Sequence, residues 1–167
     1  IFKGRAIRAY AVKPGYLPSA ITTHSYFVSR EDRSRFTLPI LSIAVPEADL
    51  FDYERGIYCA GIDFDQWRLA QPDADPIPWR RPANYLRRGS QWEKPVHIEI
   101  FDADHGFLLS QDCGMRIHGG DERSYPQKSL RFYADDAYSS QGDFRFPLFR
   151  ESGGSVHNRR RNDAEVF

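Results

Sequence analysis

The chain of 167 residues is 41% hydrophobic and 14% aromatic, and its 23 basic residues balance its 23 acidic residues. This composition suits one folded domain, or one domain with part of a second, and the zero net charge gives no electrostatic argument for nucleic acid or an anionic membrane as a partner. No apolar run approaches the roughly 20 residues of a membrane span. Because the chain opens at Ile1 without a signal-peptide pattern, we interpret it as an internal fragment.

Residues 1–28 predict two strands joined by a turn at Pro14-Gly15, since this dipeptide punctuates strands. The second strand, over 21–28, is rich in β-branched and aromatic residues. Two strands alone are marginally stable in water. We therefore expect 1–28 to be the hairpin at the end of a truncated β-sandwich, followed by a charged linker at 29–37.

Residues 38–167 predict a second domain that is mainly antiparallel sheet. Alternating apolar residues mark adjacent strands at 96–101, 114–118 and 128–133, and the side chains expected in the core are Ile98, Ile100, Ile117, Leu130 and Phe132. A short strand is also expected at 57–61, and one helical turn after Pro46. The stretch 62–88 holds four of the eleven prolines, which predicts an irregular surface loop.

The segment from Gly114 to Tyr133 carries the strongest indication of function. Gly119-Gly120 ends its first strand and could form a backbone N–H nest for an anion. Lys128 falls on the apolar face of the next strand, where a buried ammonium needs a partner. With Arg123, these residues suit a phosphate chain. The alternative is a salt bridge from Lys128 to a carboxylate, which the spacing alone favours.

The sequence gives little support for a metal site or for other kinds of catalysis. The five histidines lack metal-ligand spacing, and neither a serine-hydrolase elbow nor a P-loop is present, so no metal site is expected. Asp102 and Asp104 fit a hairpin turn better than a calcium loop. Cys59 and Cys113 are either buried small hydrophobes or one disulfide. The three tryptophans favour packing over stacking on sugars, which stays open.

Four short motifs in the first segment carry a family resemblance: Ile7-Arg8-Ala9, Lys13-Pro14-Gly15-Tyr16, Pro18-Ser19 and Tyr26-Phe27-Val28. In these residues the segment resembles the end of the small β-sandwich module found beside chitobiase and β-hexosaminidase domains. The resemblance is confined to residues 1–28. It implies that the earlier strands of that module lie outside this chain.

A longer series of motifs follows in order through residues 38–149: Leu38-Pro39-Ile40-Leu41-Ser42, Asp49-Leu50-Phe51-Asp52, Gly56-Ile57-Tyr58, Gly61, Trp92-Glu93-Lys94-Pro95-Val96, Glu99, Gly114-Met115-Arg116-Ile117-His118-Gly119-Gly120, Arg123, Pro126-Gln127-Lys128-Ser129-Leu130-Arg131, Tyr138 and Phe146-Pro147-Leu148-Phe149. In this order and spacing they resemble the N-terminal part of the CotH family of spore-coat-type protein kinases. Glu122 departs from the pattern, because the family usually has a small residue there. Its carboxylate would repel a phosphate.

The resemblance implies an atypical kinase fold, α+β if complete, of which 38–167 would be the N-terminal lobe. It further implies ATP with Mg²⁺, phosphate transfer to Ser or Thr of serine-rich coat or surface proteins, and an extracellular, cell-surface or spore-coat location. Gly119, Gly120, Arg123 and Lys128 would then bind the nucleotide. Catalytic carboxylates belong to the C-terminal lobe, so the fragment itself is expected to be inactive. The alternative is a non-catalytic extracellular module of the same fold that binds polysaccharide or protein, or is structural.

Overall fold

A computed structural model describes residues 3–28, 36–75, 77, 80–104, 106–139, 142–144 and 163–166. The architecture is mainly β, with two antiparallel sheets and few helices, which confirms the predicted class. The chain divides into two compact units. One contains Ile1–Ala44 and His97–Gln111, and the other contains Val45–Val96 and Asp112–Phe167. No helix in the described part of the chain is long and apolar enough to cross a membrane.

The N-terminal hairpin is a two-stranded sheet of β1 (Lys3–Ala9) and β2 (Thr22–Val28). The predicted turn is present, with Gly15 at φ 81°. Within its unit the hairpin contacts the neighbouring strands. The Ser25 amide donates to the Glu99 carboxylate, and the Ser25 hydroxyl lies 2.6 Å from that of Ser42. These hydrogen bonds join the hairpin to other residues of the same unit. The domain boundary stays a prediction, and linker residues 29–35 lie outside the described residues.

The second sheet has the strand order β3-β4-β5-β6-β7. Its strands are β3 (Ile40–Ala44), β4 (Lys94–Phe101), β5 (Phe107–Ile117), β6 (Leu130–Tyr133) and β7 (Asp163–Val166). The predicted adjacency of the three middle strands is confirmed. Four of the five predicted core side chains are buried, namely Ile98, Ile100, Ile117 and Phe132, and Leu130 is partly buried. Sequence reasoning did not predict β7.

The helical segments correct two predictions. Helix α1 (Glu47–Phe51) is present, but the expected strand at 57–61 is not, because the backbone amides of Ile57 and Tyr58 donate to Asp49 and Leu50. The expected loop at 62–88 begins with a ten-residue helix, α2 (Gly61–Ala70). The prolines that suggested a loop all follow this helix. A Cβ at Gly61, with φ 58°, would overlap the side chain of Asn84.

Both cysteines are free thiols, which settles the choice left open by the sequence. Cys113 is completely buried in β5, and burial is the main cause that raises its pKa to about 12. A thiol with such a pKa stays protonated at neutral pH and acts as a small hydrophobe.

Candidate anion-binding cleft

Lys128 is held by backbone carbonyl groups. Its Nζ donates to the carbonyl oxygens of Arg123 and Tyr125 at 2.7 and 2.8 Å. It also lies 4.1 Å from the ring centroid of Tyr85 and 5.2 Å from that of Tyr58. We call this arrangement the lysine cage. The residue is only 8% exposed, and desolvation lowers its pKa. The partner that a buried ammonium required is thus a pair of carbonyl groups and two aromatic rings.

The glycine turn differs from the predicted nest. Gly119 takes a positive φ of 104°, but the Gly120 amide donates to Glu122 Oε2 at 2.7 Å. Backbone hydrogen bonds of this kind lower the pKa of Glu122, so its carboxylate is ionised at neutral pH. The nest donor at Gly120 is therefore occupied by an anion of the chain itself. The Gly119 carbonyl oxygen accepts from Arg123 Nε at 2.8 Å and from Arg88 Nη2 at 3.3 Å.

Beside this turn lies a cleft of about 220 Å³. Its charged lining consists of arginines and one histidine: Arg87, Arg88, Arg116, Arg123, Arg131 and His118. We call this the arginine cleft. Among the described residues, no aspartate or glutamate lines it. Of the four predicted site residues, Gly119 and Arg123 line the cleft, whereas Gly120 and Lys128 do not.

Two strands position the central basic side chains. Arg116 is near the end of β5 and His118 directly follows the strand, and their spacing of two residues places both side chains on one face. Arg131 of β6 is the direct cross-strand partner of Arg116, and the Arg116 guanidinium lies 3.9 Å from the ring centroid of Tyr133. Like charges placed directly opposite on antiparallel strands destabilise a sheet unless other groups offset them.

Among the contacts that the structure describes, Arg87 and Arg116 have carboxylate partners. Arg87 contacts both oxygens of Asp63, through Nε at 2.7 Å and Nη2 at 2.6 Å, and stacks at 3.9 Å on the ring of Trp92. Arg116 Nε lies 3.1 Å from Glu93 Oε2. These pairs fix the two guanidinium groups in place and offset their charge.

Arg88 and Arg123 make hydrogen bonds to neutral carbonyl groups instead. Arg123 is 7% exposed and also donates from Nη1 to the Arg87 carbonyl at 3.0 Å. Burial lowers its pKa, and the charges of Arg88 and Arg116 lower it further. Carbonyl oxygens orient a guanidinium group without cancelling its charge. The cleft therefore keeps positive charge that an anion would neutralise.

This arrangement can bind a compact anion with several oxygens, because guanidinium groups donate in a planar fork that matches phosphate and carboxylate. It does not suit Mg²⁺, which requires oxygen ligands, since the charged groups at the cleft are nitrogen cations. A metal that accompanied a nucleotide would be held by the phosphates and by groups elsewhere.

Sequence reasoning missed most of the cleft. The alternation that places Ile117 and Phe132 in the core also places Arg116, His118 and Arg131 together on the opposite face, and this signal was available. Arg87 and Arg88 fall in the segment taken for an irregular loop and gave no such signal. The aromatic residues also have a clearer role, since one face of Trp92 is covered by Arg87. This favours packing over sugar stacking on that face.

Comparisons of the chain with protein-family models, with curated proteins and with solved structures gave no match. The likeness to the CotH family accordingly remains a hypothesis based on the motifs quoted above.

Proposed function

We propose that this chain is the nucleotide-binding part of a CotH-type protein kinase and that its arginine cleft binds the phosphate chain of ATP. The observation that carries the proposal is the lining of the cleft, where five arginines and a histidine meet with no acidic residue among the described lining residues. The order of the motifs is the reason for proposing ATP as the ligand. The positive charge of the cleft is the reason for proposing that its phosphates bind there. Transfer of the phosphate to serine-rich coat or surface proteins follows from the resemblance alone.

The size of the cleft indicates which part of ATP it would hold. Whole small-molecule sites commonly measure roughly 300–1,000 Å³, whereas this cleft measures about 220 Å³. That space suits a phosphate chain better than a complete nucleotide. The adenosine would extend beyond the cleft, and a kinase of this type would supply the metal ligands and the catalytic base from its C-terminal lobe. This chain by itself should bind ATP.

Arg88 offers the cleanest test. It is exposed, and it makes a hydrogen bond to one carbonyl, that of Gly119, at 3.3 Å, so Arg88→Ala should leave the fold intact. A hydrogen bond from a charged donor contributes about 1.5–3 kcal/mol, which corresponds to a roughly ten- to hundred-fold loss of ATP affinity. Calorimetric titration at low and at raised salt measures this loss, which should shrink with screening.

Arg68 provides a matched control. It is likewise an exposed arginine that donates to a carbonyl, that of Ala74 at 3.2 Å, but it does not line the cleft. Arg68→Ala should bind ATP like the wild type. Equal losses in both variants would reduce the effect to net charge and remove the cleft from the proposal. Tight binding of an acidic oligosaccharide in place of ATP would favour the polysaccharide-binding module instead.

A further inference from the structure

His118 lies in the middle of the arginine cleft and is held in place from both strands. Its backbone amide donates to the Ser129 carbonyl at 2.8 Å, which continues the pairing of β5 with the chain before β6. Its ring Nε2 lies 3.4 Å from Arg131 Nη2. A guanidinium group has donors and no acceptor, so a hydrogen bond at this contact requires a lone pair on Nε2. A ring that accepts this bond is neutral, with its proton on Nδ1, and the lowered pKa of His118 favours the same form.

The charges around the ring come from several elements. Arg131 is on β6, Arg123 and Glu122 are in the 3₁₀ turn at Asp121–Ser124, and Arg88 precedes Gly89. Arg116 is on β5, two residues before His118, and also lines the cleft. On β7, Glu165 is the register partner of Arg131. Burial, then Arg131, Arg123 and Arg88, lower the pKa of His118, while Glu122 opposes them.

We infer that an anion of the phosphate type enters this cleft together with a proton, which His118 Nε2 accepts from solvent. The inference rests on the proposed function, because it concerns the same cleft and the same class of ligand. A bound anion offsets the guanidinium charges that keep the ring neutral, and it can accept a hydrogen bond from the new N–H group. The imidazolium can no longer accept a hydrogen bond from Arg131. No bond of the ligand is made or broken.

The coupling between anion binding and protonation of His118 fixes the direction in which affinity changes with pH. The pKa of His118 in the free protein is below its usual value, and the anion raises it in the complex. Affinity should thus increase as the pH falls from the pKa of the complex to that of the free protein, by at most about tenfold per pH unit for one proton. Outside that window, where the ring has the same protonation state with and without ligand, His118 should contribute no pH dependence to the affinity.

Two measurements test the inference. The first follows the ring signals of His118 by NMR against pH, without ligand, with sulfate and with ATP. Sulfate does not titrate near neutral pH, so any change belongs to the protein. His24 lies in the other unit, and the addition of sulfate or ATP should leave its signals unchanged. The second is calorimetry of ATP binding in two buffers of different ionisation enthalpy, for wild type and His118→Gln. The wild type should take up more protons, and the protonation of ATP itself cancels in the difference.

The outcomes separate this inference from the proposed function. A raised His118 pKa with both ligands supports the inference. ATP binding with an unchanged His118 titration and equal proton uptake in both proteins overturns it and leaves the proposed function standing. A shift with sulfate but no affinity for ATP supports the inference and removes the proposed function. Absence of binding and of any shift overturns both. The titration uses the wild type, so a poorly folded variant does not remove the test.

Discussion

The lysine cage and the arginine cleft are neighbouring parts of one unit that treat positive charge in different ways. Lys128 is nearly inaccessible and is enclosed by two carbonyl groups and two tyrosine rings. The arginine cleft gathers its cations around open space, and Arg88 and Arg123 meet carbonyl groups there. A buried cation with a complete shell of protein partners is typical of a structural role. Several cations that share one cavity are typical of a binding site for an anion.

The comparison also explains why the sequence drew attention to Lys128 and not to the arginines. A lysine on the apolar face of a predicted strand is conspicuous because burying an ammonium is costly. The carbonyls of Arg123 and Tyr125 offset that cost. The arginines on the polar face drew no attention because charged residues on a sheet surface are ordinary. Their number at one place is what distinguishes them.

The largest expected effect concerns the lysine cage. Lys128→Met would leave two carbonyl groups without their donor, and each unsatisfied buried group costs about 1–3 kcal/mol, so we expect a loss of about 2–4 kcal/mol in the free energy of unfolding. Urea denaturation measures it. Lys13→Met is the control, because Lys13 also lies over a tyrosine ring, at 4.4 Å from the Tyr16 centroid, but is exposed. That change should stay within about 0.5 kcal/mol.

ATP binding by the same variant tests whether Lys128 is separate from the binding site. Where Lys128→Met is still folded, its ATP affinity should match that of the wild type, since the ammonium does not line the cleft. A ten- to hundred-fold loss, as expected for a direct contact to phosphate, would return Lys128 to the binding site that the motif predicts for it.

A smaller effect on stability is expected at Glu93, the carboxylate that pairs with Arg116. A Cβ on Gly114 would overlap Glu93 Oε1, and Glu93 is the partner of Arg116. Gly114→Ala should therefore displace Glu93 and cost about 1–3 kcal/mol of stability, as overpacking usually does. Thermal unfolding measures it, with Gly4→Ala as the control because its Cβ would meet Phe27 at an ordinary 3.4 Å.

ATP binding by Gly114→Ala tests what the Glu93 carboxylate contributes to the cleft. Arg116 loses an internal anion, so ATP affinity should stay the same or increase. Reduced ATP affinity in a stable variant would show instead that Glu93 positions Arg116 for the ligand.

The smallest effect concerns Glu122. Glu122→Ser removes an exposed carboxylate that occupies the Gly120 amide beside the cleft, so ATP affinity should increase a few-fold. Because backbone hydrogen bonds lower the pKa of Glu122, the wild type keeps this charge throughout the neutral range. The difference should disappear only when acid protonates the carboxylate. Asp121→Asn, in the same turn, controls for net charge. An equal increase in both variants would show that the position of Glu122 does not matter.

The strand predictions succeeded because they depend on local alternation. The side chains of Ile98, Ile117 and Phe132 are buried as expected, since a period of two assigns each residue to a face whatever the partner strand. The predictions failed where distant contacts decide. The segment 57–61 bonds to helix α1 instead of joining a sheet, and α2 begins at a glycine whose conformation depends on Asn84.

The order of residues was sufficient to predict the mainly β class, the hairpin with its Pro-Gly turn and the adjacency of the middle strands. Which cations are enclosed by the fold and which meet at a cleft followed from contacts in three dimensions. Alternation tells which face a side chain takes, but not what lies above that face. Arg87 and Arg88 come from a distant loop, and the carbonyls of Arg123 and Tyr125 reach Lys128 through a 3₁₀ turn. Whether a charge is neutralised depends on such contacts, which the order of residues along the chain does not contain.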